Sequence, residues 1–169
     1  MFILYKMYNV TVIGETMSGK SSLCYQWRGE PFSESYCATI LVEPWAFETM
    51  TLYEIPCHCR EPVERYYERA DVFVLVVRED SSHPKGYERL RRMNRDASWL
   101  LVMNGPGEFP RSRLYARNRG LSMAAVDLHT GQGVTESLNI LKELTLLHQQ
   151  RPMPVTLMDE VYQWIPACV

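Results

Sequence analysis

The 169 residues of the chain fit one domain of ordinary size, and their 46% hydrophobic content is ample for a buried core. A net charge of −2 and a pI near 6.1 exclude the strongly basic surface that nucleic-acid-binding domains carry. No stretch approaches the roughly 20 apolar residues of a membrane span, and five cysteines without a regular spacing indicate a reducing compartment. We therefore expect a cytoplasmic or nuclear protein, or one held peripherally at a membrane, that binds no nucleic acid.

Strand and helix signals alternate along the chain. Short β-branched or continuous apolar runs predict strands, and apolar residues spaced three and four apart predict helices. In chain order we predict a strand at 8–13, a helix at 20–30, two extended segments at 40–50 and 51–57 that form a hairpin, a helix at 63–70, a strand at 71–77, a basic helix at 85–95, a strand at 98–103, a helix at 112–118, a strand at 122–127 and a helix at 134–148.

The alternation of elements predicts an α/β fold with a mostly parallel, six-stranded sheet flanked by helices. The apolar run at 71–77 is typical of a strand that is buried on both faces of such a sheet. We expect the domain to span residues 1–149. Residues 150–169 contain three prolines and are expected to form a tail outside the core, in which 155–164 could be a short docking helix.

Residues 14–21, GETMSGKS, match the phosphate-binding pattern G-x-x-x-x-G-K-[ST] at each fixed position. In such a loop the backbone N–H groups turn toward phosphate oxygens, Lys20 supplies a cation and Ser21 offers its hydroxyl to Mg²⁺. The predicted strand before the loop and helix after it are the context that the motif requires. We therefore predict a P-loop type of fold. The residues of this segment expected to bind phosphate or nucleotide are Gly14, Met17, Ser18, Gly19, Lys20, Ser21 and Ser22.

Further segments carry a resemblance to a known family in their order and spacing. They are Phe32, Thr39 within YCATI, YYERAD at 66–71, LYARNRGL at 114–121 and TGQGV at 130–134. Together with the phosphate loop at 14–21, these segments give residues 8–149 a resemblance to the small GTPases of the Ras superfamily. The resemblance is nearest to the Rab type. The resemblance implies a Ras-like G domain in which Phe32 packs against the base, Thr39 joins Ser21 on Mg²⁺, and Asn104 contacts the nucleotide.

The departures from the family fall on positions that act on the nucleotide. The family's second-switch entry is Asp-x-x-Gly-Gln, and the alignment places Pro56 at the Asp, Cys59 at the Gly and Arg60 at the Gln. The chain would then lose three groups: the carboxylate behind Mg²⁺, the residue that senses the terminal phosphate and the side chain that orients water. Glu54 and Glu61 are the candidates to replace the carboxylate.

The segments that read guanine are altered as well. The family's Asn-Lys-x-Asp is Asn-Gly-Pro-Gly at 104–107 here, and its Ser-Ala-Lys is Asp-Leu-His at 127–129. A site that loses the buried polar groups that bind the base can lose about 10⁴-fold or more of its selectivity between bases. The cofactor is therefore expected to be GTP or GDP, another nucleotide with Mg²⁺, or none.

These departures predict a pseudo-GTPase that acts as a protein-interaction module in trafficking or signalling, with impaired or absent hydrolysis. Its partners are expected to bind the switch and inter-switch surface through Trp45, Tyr66 and Tyr67, unless these aromatic rings belong to the core. The alternative is an active P-loop switch or nucleotidase with altered base specificity. A small-molecule kinase is a weaker alternative, because no segment reads as an arginine-rich lid over the phosphates.

Three other patterns favour ordinary explanations. The run Cys57-His58-Cys59 lacks the spacing and the second ligand pair of structural zinc sites. The four arginines within 89–95 fit a solvated helix face rather than a binding patch. Cys168 fits neither of the usual prenylation endings, so a lipid anchor is not expected.

Overall fold

The computed structural model describes residues 7–35, 38–59, 62–81 and 83–149. In this part of the chain, strands and helices occur in the predicted order, with bounds that differ by a few residues. They are β1 (Tyr8–Gly14), α1 (Lys20–Trp27), β2 (Glu43–Phe47), β3 (Met50–Glu54), α2 (Glu64–Glu68), β4 (Val72–Val77), α3 (Tyr87–Met93), β5 (Ser98–Asn104), α4 (Pro110–Arg119), β6 (Ser122–Val126) and α5 (Val134–Gln149).

The strands form one six-stranded sheet in the order β2-β3-β1-β4-β5-β6. All neighbouring pairs are parallel except β2 and β3. The predicted α/β architecture, a mostly parallel six-stranded sheet flanked by helices, is therefore confirmed. Because parallel strands point the same way, the carboxyl ends of β1, β3, β5 and β6 meet at one edge, where the phosphate loop begins.

The predicted hairpin is confirmed in a shorter form. β2 and β3 pair from Glu43 opposite Glu54 to Phe47 opposite Met50. The turn between them includes Glu48, whose φ of 50° lies in the left-handed region that a non-glycine residue adopts mainly in turns. β2 is an edge strand of the sheet.

The core lies on both faces of the sheet, and β4 contributes to each. Val74 packs in a cluster that includes Leu23 of α1 and Leu141 of α5. Phe73 points the other way, into a cluster that includes Leu90 of α3. The prediction of a strand buried on both faces is confirmed, and the alternation of the strand assigns neighbouring residues to opposite clusters.

Local backbone signals explain where the helix bounds differ from prediction. α1 ends at Trp27, before Gly29, whose φ of 83° leaves the helical region. α4 starts at Pro110, two residues earlier than predicted, because a proline in the first turn loses no helical hydrogen bond. The same helix closes on Gly120 with a φ of 65°, as the sequence predicts. The arginines on and after α3 are exposed, which fits a solvated helix face.

The predictions for residues 150–169, a tail outside the core with a helix at 155–164, concern residues outside the described part and stay predictions. The same holds for Cys168 and for the start of the domain at 1–6. Among the helices that the structure describes, none combines the length and the hydropathy that crossing a bilayer demands.

Gly133, before α5, is expected to tolerate no side chain, and Gly131 is its matched control. Their φ angles are 76° and 77°. A Cβ on Gly133 would lie 2.1 Å from the Ala125 carbonyl oxygen, whereas no described atom lies within 4 Å of one on Gly131. We expect Gly131→Ala to lower the free energy of unfolding by about 1 to 2 kcal/mol through backbone strain alone. Gly133→Ala should cost about 1 to 3 kcal/mol more because of the clash.

Urea unfolding of both variants beside the natural chain measures these two costs. Equal losses of stability in the two variants would contradict the close packing of residue 133 against β6.

Candidate functional site

The phosphate loop sits between β1 and α1, against the ends of β5 and β6. Gly19 has a φ of 99°, and a Cβ there would lie 2.5 Å from Asn104 Nδ2 and 2.7 Å from Leu128 Cδ1. The Asn104 amide in turn donates a hydrogen bond of 2.9 Å to the Ser18 carbonyl oxygen. Glycine at position 19 therefore allows the loop to pack directly on the strand ends that follow β5 and β6.

Lys20 is the first residue of α1 and is almost fully buried. Its Nζ donates to the carbonyl oxygens of Gly14 at 3.1 Å and of Glu15 at 2.9 Å. A third contact, of 3.5 Å, joins Nζ to Cys57 Sγ, and this thiol donates to the Gly14 carbonyl oxygen at 3.0 Å. These contacts hold the ammonium group across the loop at the positive end of α1, where a phosphate oxygen would be attracted.

Three oxygen-bearing side chains meet beside the lysine. Ser21 Oγ donates to Glu54 Oε1 at 2.6 Å and lies 3.3 Å from Thr39 Oγ1. Glu54 is only 2% exposed, and its second oxygen, Oε2, has no hydrogen-bond partner among the described residues. Burial raises the pKa of the Glu54 carboxyl, although the Ser21 hydrogen bond and the charge of Lys20 oppose the rise. A buried carboxylate with a bare oxygen is the kind of group that a cation stabilises.

Of the two candidates to replace the family's lost carboxylate, the structure brings Glu54 to Ser21. The loss of that carboxylate at Pro56 stays a prediction. Glu54 ends β3, and the alternation of the strand puts its side chain on the same face as Leu52 and α1. The thiol that touches the phosphate loop is Cys57 and not Cys59. Arg60 and Glu61 lie outside the described residues.

The oxygen set at Ser21 fits Mg²⁺. This ion prefers oxygen ligands and usually takes one or two carboxylates together with phosphate oxygens and water. Ser21, Thr39 and Glu54 could supply two hydroxyls and one carboxylate, with the unpartnered Oε2 of Glu54 as the best indication. Elsewhere in the described ranges, no three histidine, cysteine or acidic side chains come together as a metal site.

The segment after β5, where the family resemblance implies contacts with a base, has two glycines beside an aromatic ring. Gly105 and Gly107 stand where the family resemblance implies Lys and Asp, and the buried Phe109 ring lies close under both, 3.6 and 3.7 Å from the positions of their missing Cβ atoms. Phe32 contacts the ring of His129, with centroids 4.4 Å apart. The structure thus brings Phe32 and Asn104 to the same edge of the sheet as the loop.

The structure places the other predicted phosphate-loop residues as follows. Ser18 is buried in the loop, and Met17 is exposed at its tip with a φ of 60°. Strain of this kind in a non-glycine residue is typical of functional loops. Ser22 is half-buried on α1.

The predicted interaction residues do not form one surface. Trp45 is opposite Leu52 in the hairpin and contacts the Tyr25 ring at 4.9 Å, on the face of the sheet that α1 covers. Tyr66 contacts Tyr53 at 5.1 Å, on the face that α2 and α3 cover, and Tyr67 packs on that same face. All three predicted residues are half-buried, so each ring is partly core and partly surface.

Two residues of the site escaped the sequence analysis. The sequence pattern offers Cys57 only as a zinc ligand, and His129 only in the place of a lysine of the family. The signal for Cys57 was its distance of three residues from Glu54, which repeats the spacing of Asp and Gly in the family motif. His129 and Phe32 are in contact although they are 97 positions apart, and no sequence pattern near either residue predicts this contact.

Comparison with known proteins adds no assignment to this geometry. No protein-family model matches the chain, and no curated protein is significantly similar to it. Any function proposed for the site therefore rests on its contacts.

Glu54→Gln is expected to remove a pH-dependent loss of stability. Because the pKa of Glu54 is raised from its ordinary 4.5, the folded protein binds this proton more tightly than the unfolded chain does. The free energy of unfolding should therefore fall, relative to that of Glu54→Gln, as the pH rises through the raised pKa. The amide keeps an oxygen to accept the Ser21 hydrogen bond.

Urea unfolding from pH 4 to 8, without Mg²⁺ or nucleotide, measures this difference. Glu136→Gln, which removes an exposed carboxylate of α5, is the control for the substitution itself. A constant difference between the natural protein and Glu54→Gln over this range would contradict the raised pKa.

Proposed function

We propose that the protein is a Ras-like domain that binds a nucleoside polyphosphate with Mg²⁺ and acts through protein partners. In this proposal it has lost guanine readout and hydrolyses nucleotide slowly or not at all. The observation that carries the proposal is the 2.6 Å hydrogen bond from Ser21 Oγ to Glu54, with Thr39 Oγ1 3.3 Å from the same hydroxyl. These are the oxygen donors that a phosphate-bound Mg²⁺ requires, next to a phosphate loop.

Lys20 supports the phosphate part of the proposal. Its buried ammonium lies across the loop at the first turn of α1, close to the Ser21 hydroxyl. When bound, Mg²⁺ would neutralise the phosphate charge. Lys20 and the N–H groups at the start of α1 would bind the phosphate oxygens.

The loop at 104–107 supports the loss of guanine readout. A bidentate carboxylate on the guanine edge is what gives strong base selection, and neither Gly105 nor Gly107 has a side chain to supply one. The Phe109 ring beneath these glycines is apolar. The proposed site therefore keeps the residue types of the phosphate part and lacks the polar side chains of the base part.

The segment after β3 supports slow hydrolysis. Phosphoryl transfer to water needs a side chain that orients the water molecule. Cys57 instead places its thiol on Lys20 and on the Gly14 carbonyl oxygen. The neighbouring His58 is exposed, and no hydrogen bond among the described residues holds it toward the loop.

The aromatic rings support two partner surfaces rather than one. Trp45, with Tyr25 and the guanidinium of Arg28 4.7 Å from its ring, forms the first surface. Tyr66, with Tyr53 beside it, forms the second on the opposite face of the sheet. Aromatic and arginine side chains are the usual anchors of protein interfaces.

Isothermal titration of nucleotide-stripped protein with GTP, GDP, ATP and ADP, with and without Mg²⁺, tests the proposal. We expect Mg²⁺-dependent binding to the natural chain and none to Lys20→Ala, because the cation of the loop is lost. Glu54→Gln should bind nucleotide with little response to Mg²⁺, because the only carboxylate beside Ser21 in the described site is neutralised.

Lys85→Ala is the matched control for the loss of a lysine beside the loop. Lys85 is exposed and pairs with Glu15 at 2.7 Å, outside the oxygen set. Its removal should leave nucleotide affinity within about threefold, since surface ion pairs contribute at most about 1 kcal/mol. Absence of nucleotide binding to the natural chain would sink the proposal. Steady turnover that disappears in Lys20→Ala would favour an active nucleotidase or switch.

Trp45→Ala and Tyr66→Ala are expected to lose different partners. Each removes an aromatic anchor from one face of the sheet, and loss of an anchor typically costs about 2 kcal/mol or more, near 30-fold in affinity. Quantitative pull-down with the natural chain and both variants compares the proteins retained. The two-surface arrangement predicts that each variant keeps what the other loses. Partners retained equally by both variants would contradict it.

A further inference from the structure

The helices α3 and α4 lie side by side on one face of the sheet and carry a dense cluster of arginines. The Tyr87 and Tyr115 rings meet edge to face with centroids 5.7 Å apart, and Arg119 of α4 pairs with Glu88 of α3 at 2.7 Å. The pattern on α3 alone indicates a solvated helix face, but the structure sets a second arginine-rich helix beside it. We call the combined surface the basic face, and its arginines are Arg89, Arg91, Arg92, Arg95, Arg111, Arg113, Arg117 and Arg119.

The basic face concentrates positive charge in a chain that is acidic as a whole. Segments 87–96 and 108–119 contain eight arginines and three acidic residues, which gives them together a net charge of +5. Because the whole chain has a net charge of −2, the remaining residues carry −7. This separation of charge turns the basic face toward an anionic surface and the rest of the molecule away from it.

The guanidinium groups of the basic face keep hydrogen-bond donors for a ligand. Seven of the eight arginines are exposed, and Arg113 is half-buried. Among the residues that the structure describes, Arg119 is the only one of the eight in an ion pair. Arg92 and Arg113 each donate one bond to a backbone carbonyl oxygen, at 3.2 and 2.8 Å. A guanidinium group has five N–H donors in a planar fork that matches the oxygens of a phosphate, so each of these two keeps donors for one.

Leu114 adds an apolar anchor to the basic face. Its side chain is 59% exposed on α4, next to Arg113 and one turn before Arg117. Exposed apolar residues beside arginines are typical of helices that bind at a membrane surface, where the apolar side chains enter between lipid headgroups and the cations contact phosphates.

The shape of the basic face favours a membrane over other polyanions. The buried Tyr87 and Tyr115 rings fill the space between the two helices, and the Arg119 guanidinium lies 6.0 and 5.6 Å from them. The helices therefore offer no groove between them to an extended acidic peptide. Proteins that bind single-stranded nucleic acid usually present exposed aromatic rings for stacking, and α3 and α4 contain only these two buried rings.

We propose that the basic face binds the surface of a membrane rich in anionic phospholipids, with its arginines on lipid phosphates and Leu114 between the headgroups. Such attachment needs no covalent lipid. It leaves Trp45, on the opposite face of the sheet, directed away from the membrane and open to a partner. The inference does not depend on nucleotide binding.

Sedimentation of the full chain with vesicles tests this inference. We expect binding to phosphatidylcholine vesicles that contain about one third phosphatidylserine, and none to phosphatidylcholine alone. Binding should fall as salt rises from about 0.05 to 0.5 M, because salt screens exposed charges. The double variant Arg92→Gln, Arg117→Gln should bind about 25-fold more weakly, since each basic residue near an anionic membrane contributes about fivefold. Leu114→Ser should weaken binding about fivefold through loss of the apolar anchor.

Lys142→Gln is the matched control, compared with Arg117→Gln alone. It also removes one positive charge, but from α5 on the opposite face of the sheet, where Lys142 pairs with Glu48 at 2.9 Å. It should change vesicle binding by less than about twofold, whereas Arg117→Gln should weaken it about fivefold. Circular dichroism of each variant checks that the fold is kept.

Equal binding to both kinds of vesicle, binding to neither, or unchanged binding by the double variant would overturn the inference. Polyglutamate or RNA bound more tightly than the anionic vesicles would also overturn it, because the basic face would then recognise a different polyanion.

Discussion

The buried hydrogen bond from Ser21 to Glu54 is the interaction on which the rest of the site depends. It joins the first turn of α1 to the last residue of β3, and so fixes the phosphate loop against the sheet. A carboxylate in this position costs free energy unless its oxygens are satisfied. The apolar residues around it, such as Leu23 and Leu52, make the carboxylate costly and also hold it in place. The stability of the fold and the proposed binding of Mg²⁺ therefore depend on the same residue.

Lys20 depends on the same arrangement from the other side. The chain supplies three partners for its ammonium group, two loop carbonyl oxygens and the Cys57 thiol. An ammonium group has three donors, so each is matched within the protein. A phosphate that binds Lys20 must replace some of these contacts, and its affinity reflects the difference between the two sets of bonds rather than the full strength of the new ones.

The order of elements could be read from the sequence because local periodicity fixes it, and the buried run that became β4 shows this directly. The phosphate loop and the approach of Thr39 to Ser21 also followed, from a motif and a family resemblance. Glu54 was only one of two candidates, because an alignment across the loop cannot tell where β3 ends or which face its last side chain takes. The contact between Phe32 and His129 could not be predicted, because the two residues lie 97 positions apart in segments that follow α1 and β6.

One of the two outer strands of the sheet, β2, has a consequence for aggregation. An open edge presents unpaired backbone groups and invites another chain to add a strand. β2 has only five residues, and it contains Pro44, which has no N–H to donate. The charged Glu43 precedes this proline. The β2 edge is therefore a poor template for the addition of another strand, and Trp45 can stay partly exposed there.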